Sequence, residues 1–80
     1  MPPKKYTAKQ GQYLAYIYQY TKVIGMPPAE ADLARYFQVS PPSAHQMILT
    51  LEKEGLISRV PGRPRSIQVL LSPDDLPALI

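Results

Sequence analysis

The chain has 80 residues, of which 45% are hydrophobic and 19% charged, a balance typical of one small folded domain rather than a disordered segment. It contains no cysteine, which excludes a disulfide framework and a thiolate metal site and favours a reducing compartment. Two of its six acidic residues lie in the last eight positions, so the first 72 residues carry a net charge of +5, which suits a polyanionic partner.

The sequence also predicts where the protein resides and how it is divided. No stretch approaches the roughly 18 apolar residues of a membrane span, and the amino terminus lacks the apolar run of a signal peptide. We therefore predict a cytoplasmic protein without a membrane partner. We expect a flexible arm over residues 1–6, a folded domain over residues 7–71, and a tail over residues 72–80 that either docks its apolar side chains or stays mobile.

A first helix is predicted between Thr7, a side chain suited to capping a helix start, and Gly25, a residue suited to ending one. At about 100° per residue, one broad face of this helix is mostly apolar and comprises Gln10, Tyr13, Leu14, Ile17, Tyr20, Thr21 and Ile24. Tyr16 and Tyr18 fall on opposite flanks of that face. We therefore expect at least one of them to be exposed or to lie at an interface.

A second, short helix is predicted from Glu30 to about Phe37, with Ala29 in the place where a capping side chain is usual. Only the three residues 38–40 separate it from a third helix, and two helices joined by such a short turn form a helix-turn-helix. The second helix is expected to bury Leu33 and its apolar neighbours against the rest of the domain.

The third helix is predicted to begin at Pro42, with residues 40–41 as its entry, and to stop at Gly55. Its apolar residues recur at helical spacing and comprise Ala44, Met47, Ile48 and Leu51. Proline is tolerated at a helix start because the first N–H groups have no partner within the helix. Two β-prone segments, residues 56–60 and 66–71, then bracket a basic tip and predict a β-hairpin.

The predicted order is that of a winged helix-turn-helix, a mainly α fold with three helices and a two-stranded wing. The run from Thr7 to Leu71 resembles the amino-terminal DNA-binding domain of LexA-type repressors. The resemblance rests on T-A-K-Q at the first helix, G-M-P-P before the second, L-E-K-E-G-L-I after the third and P-G-x-x-R-S-I in the wing. The segment V-S-P-P-S is also similar to the recognition-helix start of MarR-like and iron-dependent repressors.

The chain departs from this pattern in two ways. LexA-type repressors carry a self-cleavage domain for which this chain has no room, so the resemblance implies a stand-alone regulator without self-cleavage. Gln38 stands where a glycine is common after the second helix, and the turn is one residue tighter than in many such domains. We therefore expect the third helix to be presented somewhat differently.

The third helix is expected to select the DNA sequence and the wing to supply affinity. Gln46 can pair with adenine through two hydrogen bonds, and the methyl group of Thr50 can contact that of thymine. Arginines of the wing suit phosphates or the narrow minor groove. The predicted DNA contacts are Ser40, Pro42, Ser43, His45, Gln46, Thr50, Lys53, Arg59, Arg63 and Arg65.

We predict a sequence-specific double-stranded DNA-binding protein, a bacterial transcriptional regulator of the repressor type. Because one such module makes a small interface, a homodimer or a partner protein is expected, and the candidate interface residues are Tyr16, Tyr18, Leu49, Leu76 and Leu79. The alternative is a winged-helix protein-interaction module without DNA binding, which Leu49 and Met47 on the third helix favour.

Catalysis and cofactors are not expected. His45 is the one histidine and has no cysteine or acidic cluster beside it, so a metal site is not predicted. The chain has neither a phosphate-binding glycine loop nor an H-E-x-x-H motif. We therefore predict a non-enzymatic protein without cofactor or small-molecule ligand.

Overall fold

A computed structural model describes residues 6–80, so the predicted arm lies, except for Tyr6, outside the described residues. The elements in chain order are α1 (Ala8–Ile24), α2 (Glu30–Phe37), α3 (Pro41–Lys53), β1 (Ile57–Ser58), β2 (Gln68–Val69) and a 3-10 helix (Pro73–Asp75). The two strands are antiparallel, with Ile57 opposite Val69. The predicted winged helix-turn-helix is confirmed, and within residues 6–80 no helix is long and apolar enough to span a membrane.

The first helix starts and ends where the sequence predicts. Thr7 Oγ1 accepts a hydrogen bond from the Gln10 backbone N–H at 3.1 Å, while Gln10 Oε1 accepts one from the Thr7 N–H at 2.9 Å. This reciprocal capping box satisfies two N–H groups that the helix leaves unpaired. Gly25 ends the helix at a φ of 90°, in the left-handed region that glycine enters without strain.

The core lies where one face of each helix meets the start of the wing. Its buried residues are Tyr13, Leu14, Ile17, Leu33, Ala34, Ala44, Ile48, Leu51, Leu56, Ile57 and Ile67. The predicted inward residues of α3, Ala44, Ile48 and Leu51, are completely buried. Ile24, by contrast, is 56% exposed, because the buried side chains of α1 end at Ile17 and its last turns extend beyond the core.

The third helix begins at Pro41, one residue before the predicted Pro42. The Ala44 N–H donates to the Ser40 carbonyl at 3.0 Å, which closes the first helical turn around both prolines. Ser40 Oγ accepts from the Ser43 N–H at 3.2 Å and caps the helix. This first bond draws Pro41 into the helix despite the usual preference for extended backbone before a proline.

The third helix ends on Gly55, as predicted. The Leu56 N–H donates to the Leu51 carbonyl and the Gly55 N–H to the Glu52 carbonyl, both at 3.0 Å. This pair of bonds is a Schellman motif, and it places Gly55 at a φ of 75°. The motif turns the chain out of α3 and directly into β1.

The second helix ends with the same pair of bonds, although it lacks the glycine. The Val39 N–H donates to the Ala34 carbonyl at 3.0 Å and the Gln38 N–H to the Arg35 carbonyl at 3.4 Å. Gln38 therefore takes a φ of 55°, a left-handed conformation that glycine usually fills. The turn of the helix-turn-helix is thus built on a strained glutamine.

The strands of the wing have two residues each and are much shorter than the predicted segments. Ser66 accounts for the difference, because its hydroxyl accepts from the Val60 N–H at 3.0 Å and donates to the Arg63 carbonyl at 2.8 Å. The Arg63 N–H donates to the Val60 carbonyl at 3.0 Å and closes a turn at the tip. A side chain thus takes over the hydrogen bonds that a longer strand ladder would make.

Residues 72–80 contact the helical domain at several points. Tyr6 donates a hydrogen bond from its hydroxyl to the Asp75 carbonyl at 2.6 Å, so the residue before the α1 cap contacts the tail. The side chain of Gln12 bonds the Ala78 carbonyl and the Ile80 N–H, each at 2.9 Å. Leu76 packs against the core, whereas the side chain of Ile80 is 98% exposed.

Candidate nucleic-acid interface

The exposed side of α3 borders two surface grooves. One groove is lined by Thr7, the cap of α1, by Gln10 of α1 and by Ser43, Gln46, Met47 and Thr50 of α3. The other runs between α2, α3 and the wing, and its polar lining comprises Glu30, His45, Arg59, Arg63, Arg65 and Ser66. The helix is therefore a ridge with space on both sides, the shape that enters the major groove of a duplex.

The amino terminus of α3 has no free backbone N–H. Pro41 and Pro42 have none to offer, and the N–H of Ser43 is bonded to the Ser40 side chain. Helix starts often bind phosphate through such groups, and this helix cannot do so. Polar contacts at this edge must therefore come from side chains.

Side chains at that edge are arranged to supply them. Ser40 Oγ donates to Ser43 Oγ at 2.9 Å, which leaves the Ser43 hydroxyl hydrogen available to an outside acceptor. Gln46 and Lys53 are exposed, and no partner of either side chain is found among residues 6–80. Thr50 donates its hydroxyl to the Gln46 carbonyl at 3.0 Å, so its methyl group is the part left for a contact. Pro42 is exposed beside them.

His45 is bonded to a neighbouring helix. Its Nδ1 lies 2.8 Å from Glu30 Oε1 of α2, and both side chains remain partly exposed. The pairing occupies a carboxylate that lines the groove between α2, α3 and the wing. Within the described part of the chain, no group of three or more histidine, cysteine, aspartate or glutamate residues is placed to hold a metal.

The three wing arginines are in three different situations. Arg59 donates from Nε to Glu52 Oε1 at 3.1 Å, and its side chain is largely covered. Arg65 turns back toward the helices and pairs with Asp32 at 3.2 Å. Arg63 is exposed, and no partner of its guanidinium is found in residues 6–80. Of the predicted wing contacts, Arg63 is therefore the one whose charge is available.

Sequence reasoning missed the part played by Asp32. Its carboxylate accepts from the Ala29 N–H at 2.9 Å, and so caps α2 from within, because Ala29 has no side-chain acceptor. It also accepts from Arg35 at 2.6 Å. The Ala29 hydrogen bond, followed by the charges of Arg65 and Arg35, holds the pKa of Asp32 below its ordinary value. An aspartate three residues after an uncapped helix start was the available signal for the cap.

The residues predicted for a protein–protein interface are partly buried within the domain itself. Tyr16 stacks on Tyr36 with ring centres 4.2 Å apart, and burial raises the pKa of Tyr16. Tyr18 lies under the Lys22 ammonium, 5.9 Å from the ring centre, and is half-buried, as are Leu49 and Leu79. The strongly exposed apolar side chains lie elsewhere, notably Val23, Ile24, Met26, Val60 and Leu70.

The burial of Met47 and Leu49 bears on the alternative in which α3 binds a protein instead of DNA. Met47 packs against the core, and Leu49 has only part of its surface in solvent. The two apolar residues that favoured a protein-binding face therefore do not form an exposed patch.

Comparison with known proteins agrees with this geometry. A family model described as the LexA DNA binding domain matches residues 3–66. The LexA repressor of Thermotoga neapolitana is 38% identical over 69 residues, which cover 86% of this chain and 35% of that protein. The LexA repressor of Thermosipho africanus is 37% identical over 71 residues, covering 89% and 36%. The chain thus spans about a third of the length of the curated relatives it matches.

Proposed function

Because the chain belongs to the family of LexA DNA-binding domains, we propose that it is a sequence-specific double-stranded DNA-binding protein that acts as a transcriptional repressor. It inserts α3 into the major groove and rests the wing on the sugar-phosphate backbone or in the adjoining minor groove. The observation that carries the proposal is the α3 ridge: Gln46 is exposed on the groove along one side, Arg63 lines the groove along the other, and neither side chain has a partner within the described residues.

Direct base contacts fall to the middle of that ridge. Gln46 is long enough to read adenine through two hydrogen bonds, and the Thr50 methyl group suits a thymine methyl. Ser43 donates its free hydroxyl to a base acceptor or a phosphate, and Pro42 packs beside it. His45 lines the second groove with Nδ1 bonded to Glu30, which leaves Nε2 as its atom for a contact with DNA.

Backbone contacts fall to the flanks. Lys53 at the end of α3 and Arg63 at the wing tip are both exposed cations, and they suit phosphates on either side of the ridge. Ser40 supports Ser43, and Arg59 keeps β1 and α3 together through Glu52. The protein works by binding, without a catalytic step.

A single module of this size covers only a short DNA segment, so we propose that the cytoplasmic protein binds as a homodimer or with a partner protein. Two copies related by a two-fold axis would read a palindromic site with half-sites about one helical turn apart. Selection of binding sites from a randomised duplex pool tests this directly. Recovery of a palindrome supports the dimer, whereas recovery of a lone short site argues for one copy or a different partner.

Fluorescence anisotropy with the selected duplex tests the binding itself. The logarithm of the association constant is expected to fall linearly with the logarithm of salt concentration. Gln46→Ala is expected to reduce the preference for the selected site by about 5- to 150-fold without changing that slope, while Lys53→Ala lowers the slope by about 1 on all sequences. Gln19→Ala, an exposed glutamine on α1, is the matched control. Absent or salt-independent binding up to high micromolar protein would refute the proposal.

A further inference from the structure

The tip of the wing is tied to the helices through Arg65. Its guanidinium Nη1 lies 3.1 Å from the Tyr20 hydroxyl oxygen, 3.4 Å from the Pro27 carbonyl and 3.2 Å from Asp32 Oδ2. These acceptors come from α1, from the loop before α2 and from α2 itself. One side chain therefore joins the wing to three parts of the helical body.

The backbone of Arg65 shows the same constraint. Its φ is 56°, a left-handed conformation that residues other than glycine seldom adopt. Strain of this kind persists only where surrounding contacts hold the residue in place. The left-handed turn sends the Arg65 side chain back toward α2, while Arg63, two residues earlier, is left in solvent.

The acceptor for Arg65 is itself fixed. Asp32 is held by the Ala29 N–H at the start of α2 and by Arg35, and only 12% of its side-chain surface is exposed. The wing, by contrast, has two residues per strand and a loop closed by Ser66. A two-stranded ribbon of that length is marginal by itself. Buried Ile57 and Ile67 anchor the base of the wing in the core, and the contact between Arg65 and Asp32 ties its tip to the helices.

We propose that Arg65 is a positioning residue rather than a phosphate contact: its bonds to Tyr20 and Asp32 hold the wing so that Arg63 faces the same DNA as α3. The proposal rests on the DNA-binding function above. It replaces the expectation from sequence that Arg65 itself reaches the DNA. The contacts that hold it all involve Nη1, which lies against the Tyr20 hydroxyl, the Pro27 carbonyl and the Asp32 carboxylate.

The conservative variant Arg65→Lys separates the two roles. A lysine keeps the positive charge, so it would preserve most of a direct phosphate contact. Its side chain is shorter, however, and its ammonium does not reach the position of Nη1, the one atom that makes all three contacts of Arg65. Positioning predicts that Arg65→Lys and Arg65→Ala both weaken binding by about 3- to 10-fold. Direct contact predicts that Arg65→Lys stays within about twofold of the wild type.

A double-mutant cycle with Arg63→Ala gives the second distinction. If Arg65 acts through Arg63, the double variant Arg63→Ala plus Arg65→Ala binds DNA about as weakly as Arg63→Ala alone. The slope of its association constant against salt concentration then falls by about 1 relative to the wild type. If both arginines contact phosphates independently, their effects multiply and the slope falls by about 2. Tyr20→Phe removes an acceptor without changing charge and is expected to weaken binding in the same way as Arg65→Lys. Gln19→Ala, at an exposed residue of α1, is the control, since it changes no charge and leaves Arg65 and the partners of Asp32 in place.

Amide hydrogen exchange in the DNA-free protein tests the tie independently of the proposed function. The Val60 and Arg63 N–H groups are bonded within the wing tip, and they are expected to exchange faster in Arg65→Lys and Tyr20→Phe but not in Gln19→Ala. Wild-type protein that fails to bind DNA would refute the proposed function, and the exchange rates would still decide the tie. The positioning role would be overturned if the Val60 and Arg63 amides exchanged at wild-type rates in Arg65→Lys. It would also be overturned if the effects of Arg63→Ala and Arg65→Ala on DNA affinity multiplied while Arg65→Lys bound like the wild type.

Discussion

Replacing Gln38 with glycine is expected to stabilise the protein. Gln38 stands at the turn between α2 and α3 with φ 55° and ψ 46°. In that conformation the Cβ of any residue other than glycine crowds the following carbonyl oxygen, while glycine avoids the clash. The side chain of Gln38 is exposed, so its loss removes no buried contact.

The size of the gain follows from two opposing terms. Relief of the left-handed conformation contributes about 1–2 kcal/mol, whereas glycine loses more backbone entropy on folding and costs about 0.5–1 kcal/mol. The net free energy of unfolding should therefore rise by about 0.5–1 kcal/mol. In a domain of this length that raises the melting temperature by about 2–8 °C.

Urea unfolding and thermal melts measure the effect, with two control variants. Gln38→Ala removes the same polar group but keeps a Cβ, so it should not be more stable than the wild type. Gly25→Ala is the reverse change: at a φ of 90° no atom lies within 4 Å of the added Cβ, so the variant has only backbone strain and should lose about 1 kcal/mol. If Gln38→Gly proves no more stable than Gln38→Ala, the reasoning from backbone strain is wrong.

Three further outcomes can be checked in the free protein. Ser40→Ala removes the cap of α3 and should lower the free energy of unfolding by about 1 kcal/mol in urea titrations; an unchanged midpoint would contradict the capping role. Asp32 has its pKa held below the ordinary 3.8, chiefly by the Ala29 N–H. The stability it contributes is present above about pH 4 and lost as pH falls through the lower folded-state pKa, so Asp32→Asn should show a flatter loss in acid melts. Gly11→Ala should not bring the usual gain in helix stability, because the new Cβ would lie 2.8 Å from the Tyr6 ring; a higher melting temperature would count against that contact.

The helices were predictable because their signals are local. Thr7 and Gly25 mark the two ends of α1, and the spacing of Ala44, Ile48 and Leu51 assigns the buried face of α3. The start of α3 was placed one residue late, since the rule against helical backbone before proline competes with the cap supplied by Ser40. That competition is decided by one hydrogen bond, which no residue pattern specifies.

The sequence predicted a two-stranded wing but not how short its strands are. The β-prone residues around the basic tip indicate a hairpin, yet a serine hydroxyl replaces most of the ladder. The candidate DNA contacts also fall into two groups, those that the sequence predicts and those that depend on the fold. Exposure of Gln46 follows from helical spacing, whereas the pairing of Arg59 with Glu52 and of Arg65 with Asp32 depends on how separate elements pack.

The sequence by itself determined the order of elements, the helix-turn-helix and the face of α3 that turns outward, because helix caps and apolar periodicity act over a few neighbouring residues. Only the tertiary structure decided which charges remain available to DNA. Arg65 meets Tyr20 and Asp32 across 45 and 33 positions of the chain, and Arg59 meets Glu52. Ion pairs between separate elements depend on how those elements pack. Arg59 and Arg65 therefore look available for DNA in the sequence, although both are paired in the folded chain.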